Sequence, residues 1–454
     1  MSNLITPSTL QGFMELNPQN QVVFNRIKRA LEDTYRLYGF FPLDTPVLEK
    51  SEILLAKAGG ETEKQIYRFN KGDTDITMRF DLTVPLAKYV ALHYNEISFP
   101  FKRFQIGKVY RGEKAQRGRF REFYQADIDI IGNNELSILN DAEIPSIIYT
   151  AFMKLGLDDF TIRINNRRLL NGLFEILGVS DKAADILHEI DRFDKIGREN
   201  VLSQLTEVVG LSTETAENIL DTLCFSGSNE ETLNMLKGFC GKSEKFDTGL
   251  QELTDVMIYI GKFGVPESFY RVDLTIARGL DYYTGTVYET TFNRHPEIGS
   301  ICSGGRYDNL AEYYTKQKLP GVGMSIGLTR LFFILCDKEY LNKSVSYPTD
   351  VLIVPMMDDM TYAVEVSAKL RLAGIGTQVY VEKKKTKAKL DYANKLSIPY
   401  VVFLGEDEVS SGNLTVKDMR TGEQLQAPVE DIITHISSNL NSGKDEKMII
   451  VPEA

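Results

Sequence analysis

The sequence predicts an α+β protein of several domains, and three observations carry that prediction. Strand signals crowd residues 64–132 and return at 268–307, a helix-rich stretch at 166–263 separates them, and from Pro348 strands and helices alternate. A chain of 454 residues is too long for one compact domain. At roughly 150 residues per domain the prior is about three. The boundaries read as 1–165, 166–263, 264–340 and 348–440, with a tail at 441–454.

Each element has its own warrant. In residues 20–38, Phe24, Ile27, Leu31 and Tyr35 recur at helical spacing and Gly39 stops the helix. Phe40 to Glu49 reads as extended, punctuated by Pro42 and Pro46. Ile76-Thr77-Met78-Arg79-Phe80 alternates apolar with polar, the mark of a half-buried strand. Tyr124 to Ile130 is a second such strand, and it puts Gln125, Asp127 and Asp129 on one face. A polar row of that kind is either a solvated surface or the floor of a site. The insertion at 166–263 carries Leu169, Leu170, Leu173, Phe174 and Leu177 at helical spacing. Beyond it come strands at 271–275 and 286–292, then an apolar helix from about Gly327 to Leu335. The last region reads strand 351–354, helix 362–373, strand 377–381, helix 386–396 and strand 400–404, a compact α/β domain.

Composition bounds the function. There are 52 Lys and Arg against 63 Asp and Glu, a net charge of −11, with 43% hydrophobic and 25% charged residues, which excludes a mostly disordered chain. Cys224, Cys240, Cys302 and Cys336 form no CxxC pair, so neither a structural zinc site nor a disulfide framework is expected, and a reducing, cytoplasmic setting is. No signal peptide and no membrane span is expected. The acidity argues against bulk affinity for nucleic acid without excluding a local basic surface.

That surface has a candidate. Residues 102–121 hold eight Lys and Arg and one acid, Glu113. A Walker-type phosphate loop is absent, so any polyphosphate would need side chains to hold it, and arginine binds phosphate oxygens in pairs. Arg111 shares a strand face with Val109 and points inward, where an arginine needs an anionic partner. Arg278 stands in a stretch with Tyr282 and Tyr283, flanked by Gly279 and Gly285. Arg330 opens the apolar helix after Gly321-Val322-Gly323-Met324-Ser325-Ile326-Gly327, whose glycines serve close packing or a ligand. Asp81, Gln125 and Asp129 offer acceptors for an amine. Arginines beside such carboxylates suit an amino acid being activated by ATP.

At these residues the sequence resembles the class II aminoacyl-tRNA synthetases, and within them the histidyl-tRNA synthetase family. The first class II motif looks like residues 20–49, the second Phe104 to Ile131, the third Gly321 to Leu331. The histidine signatures look like Arg278-Gly279-Leu280-Asp281-Tyr282-Tyr283-Thr284-Gly285 through Glu289, and Ser303-Gly304-Gly305-Arg306-Tyr307-Asp308. The resemblance implies a catalytic domain with a mixed, mainly antiparallel sheet flanked by helices, a helical insertion and a C-terminal anticodon-binding domain. It implies a homodimer, with ATP, Mg2+, L-histidine and tRNA-His as substrates and partners. Asp81 and Thr83 would contact the amino group of histidine, and Gln125 would contact the substrate. Asp129, Tyr282, Tyr283, Tyr307 and the Gly304-Gly305 backbone would form the imidazole pocket. Arg111 would bind the α-phosphate and the carboxylate, Glu113 and Phe123 the adenine end, Arg330 the γ-phosphate. Arg278 would stabilise the charge of the transition state, and Gln116 and Arg117 would reach the tRNA acceptor end. No dedicated metal ligands are expected.

Some positions depart from the common bacterial pattern. Asp81 and Asp129 replace glutamates, Thr329 replaces a glutamate beside Arg330, and Gln11-Gly12-Phe13 stands where an N-terminal Lys-Gly-Thr-Arg-Asp element is usual. The lysines at 383, 384, 385, 387 and 389 fit either a tRNA phosphate contact or a solvated helix start. The competing readings are a non-catalytic paralogue such as the regulatory subunit of ATP phosphoribosyltransferase, a sensor of uncharged tRNA, and an RNA-binding module. The retained signatures and the C-terminal domain favour the ligase.

Overall fold

The computed structural model describes residues 4–56, 65–114, 118–190, 192–276, 283–342, 349–442 and 448–449. Of these, residues up to Glu15 and Ile27–Tyr340 form one compact unit, and Leu16–Arg26 with the residues from Leu341 onward form a second.

The strands of the first unit are β1 (Phe41–Pro42), β2 (Leu48–Lys50), β3 (Arg68–Lys71), β4 (Thr74–Met78), β5 (Phe101–Tyr110), β6 (Glu122–Ile131), β7 (Phe160–Asn166), β8 (Tyr270–Val272), β9 (Thr286–Phe292), β10 (Ser300–Tyr307) and β11 (Gly321–Ile326). Eight of them make one sheet in the order β1-β5-β6-β11-β10-β9-β7-β8, and β2-β4-β3 make a small separate sheet. The large sheet is parallel only at its ends, β1 with β5 and β7 with β8. Its central pairs are antiparallel, so it is the mixed, mainly antiparallel sheet the sequence implied.

Both faces of that sheet are covered. On β6, Ala126, Ile128 and Ile130 are fully buried on one face, and Asp127 and Asp129 are almost as buried on the other. The helix Pro18–Leu37 carries the expected apolar stripe: Phe24, Ile27, Leu31 and Tyr35 are all buried. Tyr35 meets the ring of Phe104 at 5.6 Å, and Gly39 ends the helix with φ +78°. The stretch 166–263 is helical as expected. Its first helix, Arg167–Ile176, is capped by Asn166, whose side chain accepts from the backbone N–H of Arg168 and Leu169, and it packs against Glu244–Lys262.

One helix, Thr83–Leu92, lies inside the stretch the sequence read as strand-rich, with no helix expected there. Thr83, Val84, Pro85, Leu86, Ala87 and Val90 are all buried. A helix buried nearly all round has no amphipathic period to reveal it.

In the second unit the strands β12 (Val351–Pro355), β13 (Thr377–Val379), β14 (Tyr400–Leu404), β15 (Asn413–Asp418) and β16 (Gln424–Pro428) pair in the order β13-β12-β14-β15-β16. The expected alternation holds through β14, and then an antiparallel hairpin and the helix Val429–Ser442 close the unit. Val351, Ile353, Val402, Leu404, Ile432 and Ile436 are buried together. Lys389 belongs to neither reading of its basic run. It is buried, donates to the Pro355 carbonyl at 2.8 Å and lies over the Tyr380 ring. Lys383 is exposed and paired with Asp358 at 2.8 Å.

Candidate functional site

Strand register builds the site. Asp127 on β6 lies opposite Ser325 on β11, and Ser325 lies opposite Ser303 on β10. One step along, Asp129 lies opposite Gly323, which lies opposite Gly305, while on the other side Asp129 faces Arg103 of β5. Two cavities open over this face. The smaller, about 170 Å³, is lined by Asp81, Thr83, Asp127, Asp129, Tyr283 and Tyr307 among others. The larger, about 330 Å³, is lined by Glu113, Arg119, Phe120, Phe123 and Arg330 among others. Arg111, Gln125, Ser303 and Ser325 line both, so the two cavities meet there.

In the smaller cavity the acids are buried and held. Asp129 accepts a hydrogen bond from the Tyr307 hydroxyl at 2.7 Å and pairs with Arg103 at 2.7 Å. Burial pushes its carboxyl up, and Arg103 and Tyr307 pull it back. Its close packing needs a glycine: a Cβ at Gly323 would stand 2.3 Å from Asp129 Oδ1. Asp81 sits just before the helix Thr83–Leu92, where its Oδ1 accepts from the Val84 N–H at 3.2 Å. Burial lifts its carboxyl to about 6. The same cause lifts Asp127 to about 7, against the attraction of Arg103.

The larger cavity is rimmed by cations. Arg111 Nε donates to the Phe80 carbonyl at 2.9 Å, its guanidinium lies 5.3 Å from the Phe123 ring centre, and Glu113 stands 4.0 Å away. Arg119 reaches the same Glu113 at 3.6 Å. Arg330 donates to the Ile298 carbonyl and lines the same cavity. The Thr329 hydroxyl accepts from the Tyr124 N–H at 2.8 Å, so this substitution makes a contact of its own to β6. Gly12, at the departed N-terminal element, accepts from the N–H groups of Arg121 and Glu122 and so ties that segment to the start of β6.

The structure thus brings Asp81, Thr83, Gln125, Asp129, Tyr283 and Tyr307 to one cavity and Arg111, Glu113, Phe123 and Arg330 to the other. Arg278, Tyr282, Gln116 and Arg117 lie outside the described residues. Gly304 and Gly305 lie beneath the cavity wall, against Met324 and Tyr283, while Ser303 lines both cavities.

Sequence reasoning gave no role to five contributors. Arg103, counted as one charge of a basic hairpin, is 0% exposed. Asp127 was on the polar row without a role. Ser303 stood in the second signature and Ser325 in the glycine-bearing stretch, neither with a role of its own. Arg306, in the second signature, is a support: it grips buried Asp141 through Nε and Nη2, the latter at 2.6 Å, and fixes β10 to the helix Leu139–Leu155. Among the described residues no cluster of three or more His, Cys, Asp or Glu could hold a metal, and no helix is long and apolar enough to cross a membrane.

Comparison with known proteins bears on this arrangement. Residues 12–331 match the family described as histidyl-tRNA synthetase, and residues 350–439 match the anticodon binding domain. A histidine–tRNA ligase of Clostridium tetani is 53% identical over 437 residues, covering 96% of this chain and 99% of its own. The crystal structure of histidyl-tRNA synthetase from Nostoc sp. PCC 7120 has a TM-score of 0.88 at 38% identity, covering 96% of this chain and all of that one. An ATP phosphoribosyltransferase regulatory subunit/histidyl-tRNA synthetase from Bacillus halodurans shares the fold, with a TM-score of 0.72 at 20% identity over 86% of this chain. The family match spans most of the sequence and a relative shares more than half its residues over nearly its whole length, so this chain belongs to the histidyl-tRNA synthetase family.

Proposed function

We propose that this chain is a histidine–tRNA ligase. It joins L-histidine to ATP as histidyl-adenylate, then passes the histidyl group to the 3′ end of tRNA-His. The observation that carries this reading is the meeting of an acid-floored cavity and an arginine-rimmed one at Arg111 and Gln125. An ammonium suits the first, a triphosphate the second, and the reacting carboxylate and α-phosphate fall where they join.

Asp81, Thr83 and Gln125 hold the amino group. Asp129, Tyr282, Tyr283 and Tyr307 recognise the imidazole, with Gly304 and Gly305 allowing the wall to close. Phe123 stacks on adenine beside Glu113, and Arg330 holds the γ-phosphate. Arg111 aligns carboxylate and α-phosphate, and Arg278 neutralises charge as the carboxylate oxygen attacks phosphorus and pyrophosphate leaves. No covalent intermediate on the protein is needed: position and fixed positive charge supply the rate. Magnesium would arrive with ATP. Glu113 is the one carboxylate among the described residues lining the larger cavity, so it is the side chain that would hold the ion there, beside the phosphates and water.

In the second step the terminal ribose hydroxyl of tRNA attacks the activated carbonyl and AMP leaves. Gln116 and Arg117 reach the acceptor end, and residues 348–440 read the anticodon. Residues 1–165 and 264–340 form the catalytic domain, 166–263 the insertion, 441–454 a tail. The enzyme works as a cytoplasmic homodimer. Pyrophosphate exchange with ATP, magnesium and each of the twenty amino acids tests the reading. Exchange with histidine alone is expected; no exchange from folded protein would overturn it and favour a regulatory paralogue.

A further inference from the structure

Three buried acceptors beside the smaller cavity lack donors, and two of them are oriented by their other atom. Asp81 Oδ1 is taken by the Val84 N–H, and its Oδ2 has no hydrogen-bond partner among the described residues. Gln125 Nε2 donates to Ser325 Oγ at 2.7 Å, and that fixes the amide so that its Oε1 is left unpartnered. Ser325 lies opposite Asp127 across the β6–β11 pair and favours its charged form, and Asp127 Oδ1 has no hydrogen-bond partner among the described residues. All three residues line the same cavity. Asp129 Oδ2 likewise makes no hydrogen bond, but it differs in having a fixed charge partner, Arg103 Nη2 at 2.7 Å, while its Oδ1 accepts from Tyr307.

Buried acceptors without donors are costly, and a native site that keeps three together is built for a ligand that supplies the donors. A primary ammonium carries three N–H donors and one positive charge. We propose that Asp127 is a binding residue for the α-ammonium of the amino-acid substrate, completing with Asp81 and Gln125 a three-point seat that selects amine-bearing ligands over des-amino ones. Two carboxylates then share one cation, which suits a pair that burial and neighbouring carboxylates keep reluctant to ionise. This rests on the ligase reading above and adds to it a residue with no place in that account of the amino group.

The test separates ammonium from ring. Histidinol carries an ammonium and an imidazole; 3-(imidazol-4-yl)propionate carries the imidazole and a carboxylate but no amine. Both would be titrated calorimetrically into the full-length protein and into Asp127→Asn at pH 8. Histidinol should bind about 10- to 100-fold more weakly to the variant, the size expected for a charged hydrogen bond lost. The propionate should change less than about threefold, and its binding also reports an intact pocket. An equal loss for both ligands would overturn the proposal in favour of a ring contact, and no loss for either would overturn it outright. Asp127→Ser serves as the second variant if the amide does not fold. Native protein that bound neither histidine nor histidinol would instead sink the ligase reading, a result that needs no variant to see.

Discussion

If Asp127 is kept for a ligand, the unliganded protein carries it at a cost, and replacing it should stabilise the empty protein. The perturbation is Asp127→Asn, nearly isosteric and uncharged. Burial raises the native carboxyl from 3.8 to about 7. The folded state therefore holds a proton that the unfolded state has released, and stability falls as pH rises between those values. The cost is absent below about pH 4, grows with pH and is complete above about pH 7. At about 1.4 kcal/mol per pH unit the whole effect is about 4 kcal/mol, of which about 3 kcal/mol accrues between pH 5 and pH 7. Urea unfolding of the unliganded native and variant proteins at pH 5 and pH 8 measures it. The variant should gain on the native protein by about 3 kcal/mol between the two pH values. A difference independent of pH, or a variant less stable at pH 8, would refute the reasoning.

Other perturbations follow from the same geometry. Arg103→Met strands the buried Asp129 without its cation, so a loss of about 3–5 kcal/mol in unfolding free energy is expected. Phe123→Ala should raise the KM for ATP by about 10- to 100-fold, the worth of one base–aromatic stack, and leave the KM for histidine near its native value in pyrophosphate exchange. Gly323→Ala puts a methyl 2.3 Å from Asp129 Oδ1 and 2.4 Å from the Ile128 carbonyl, so it should cost about 1–3 kcal/mol of stability and weaken histidine binding.

What the sequence disclosed, and what it hid, follows from the range of the interactions. β6 was readable because a strand buried on both faces still alternates: Ala126, Ile128 and Ile130 against Asp127 and Asp129. The helix Pro18–Leu37 was readable because only one stripe of it is apolar. Thr83–Leu92 was hidden by being buried nearly all round through its first two turns. Arg103 was misread for a different reason. Its partner Asp129 lies far along the chain and becomes its neighbour only through strand register, so charge counting along 102–121 placed it on a surface. The role of Asp127 was hidden in the same way, since it depends on Ser325 from a strand nearly two hundred residues later.

The register that lays Ser303, Ser325 and Asp127 side by side also sets when a pocket can exist. β5 and β6 are complete by Ile131, yet the strand between β6 and β10 is β11, which ends at Ile326. A chain emerging from the ribosome holds Asp127 and Asp129 long before it holds their neighbours, and those acids stay hydrated until the last central strand slides in. Sheet closure of this kind is a late, long-range event. Histidine can therefore greet only a finished catalytic unit, and its binding is a reporter of that unit's completion as much as a step in using it.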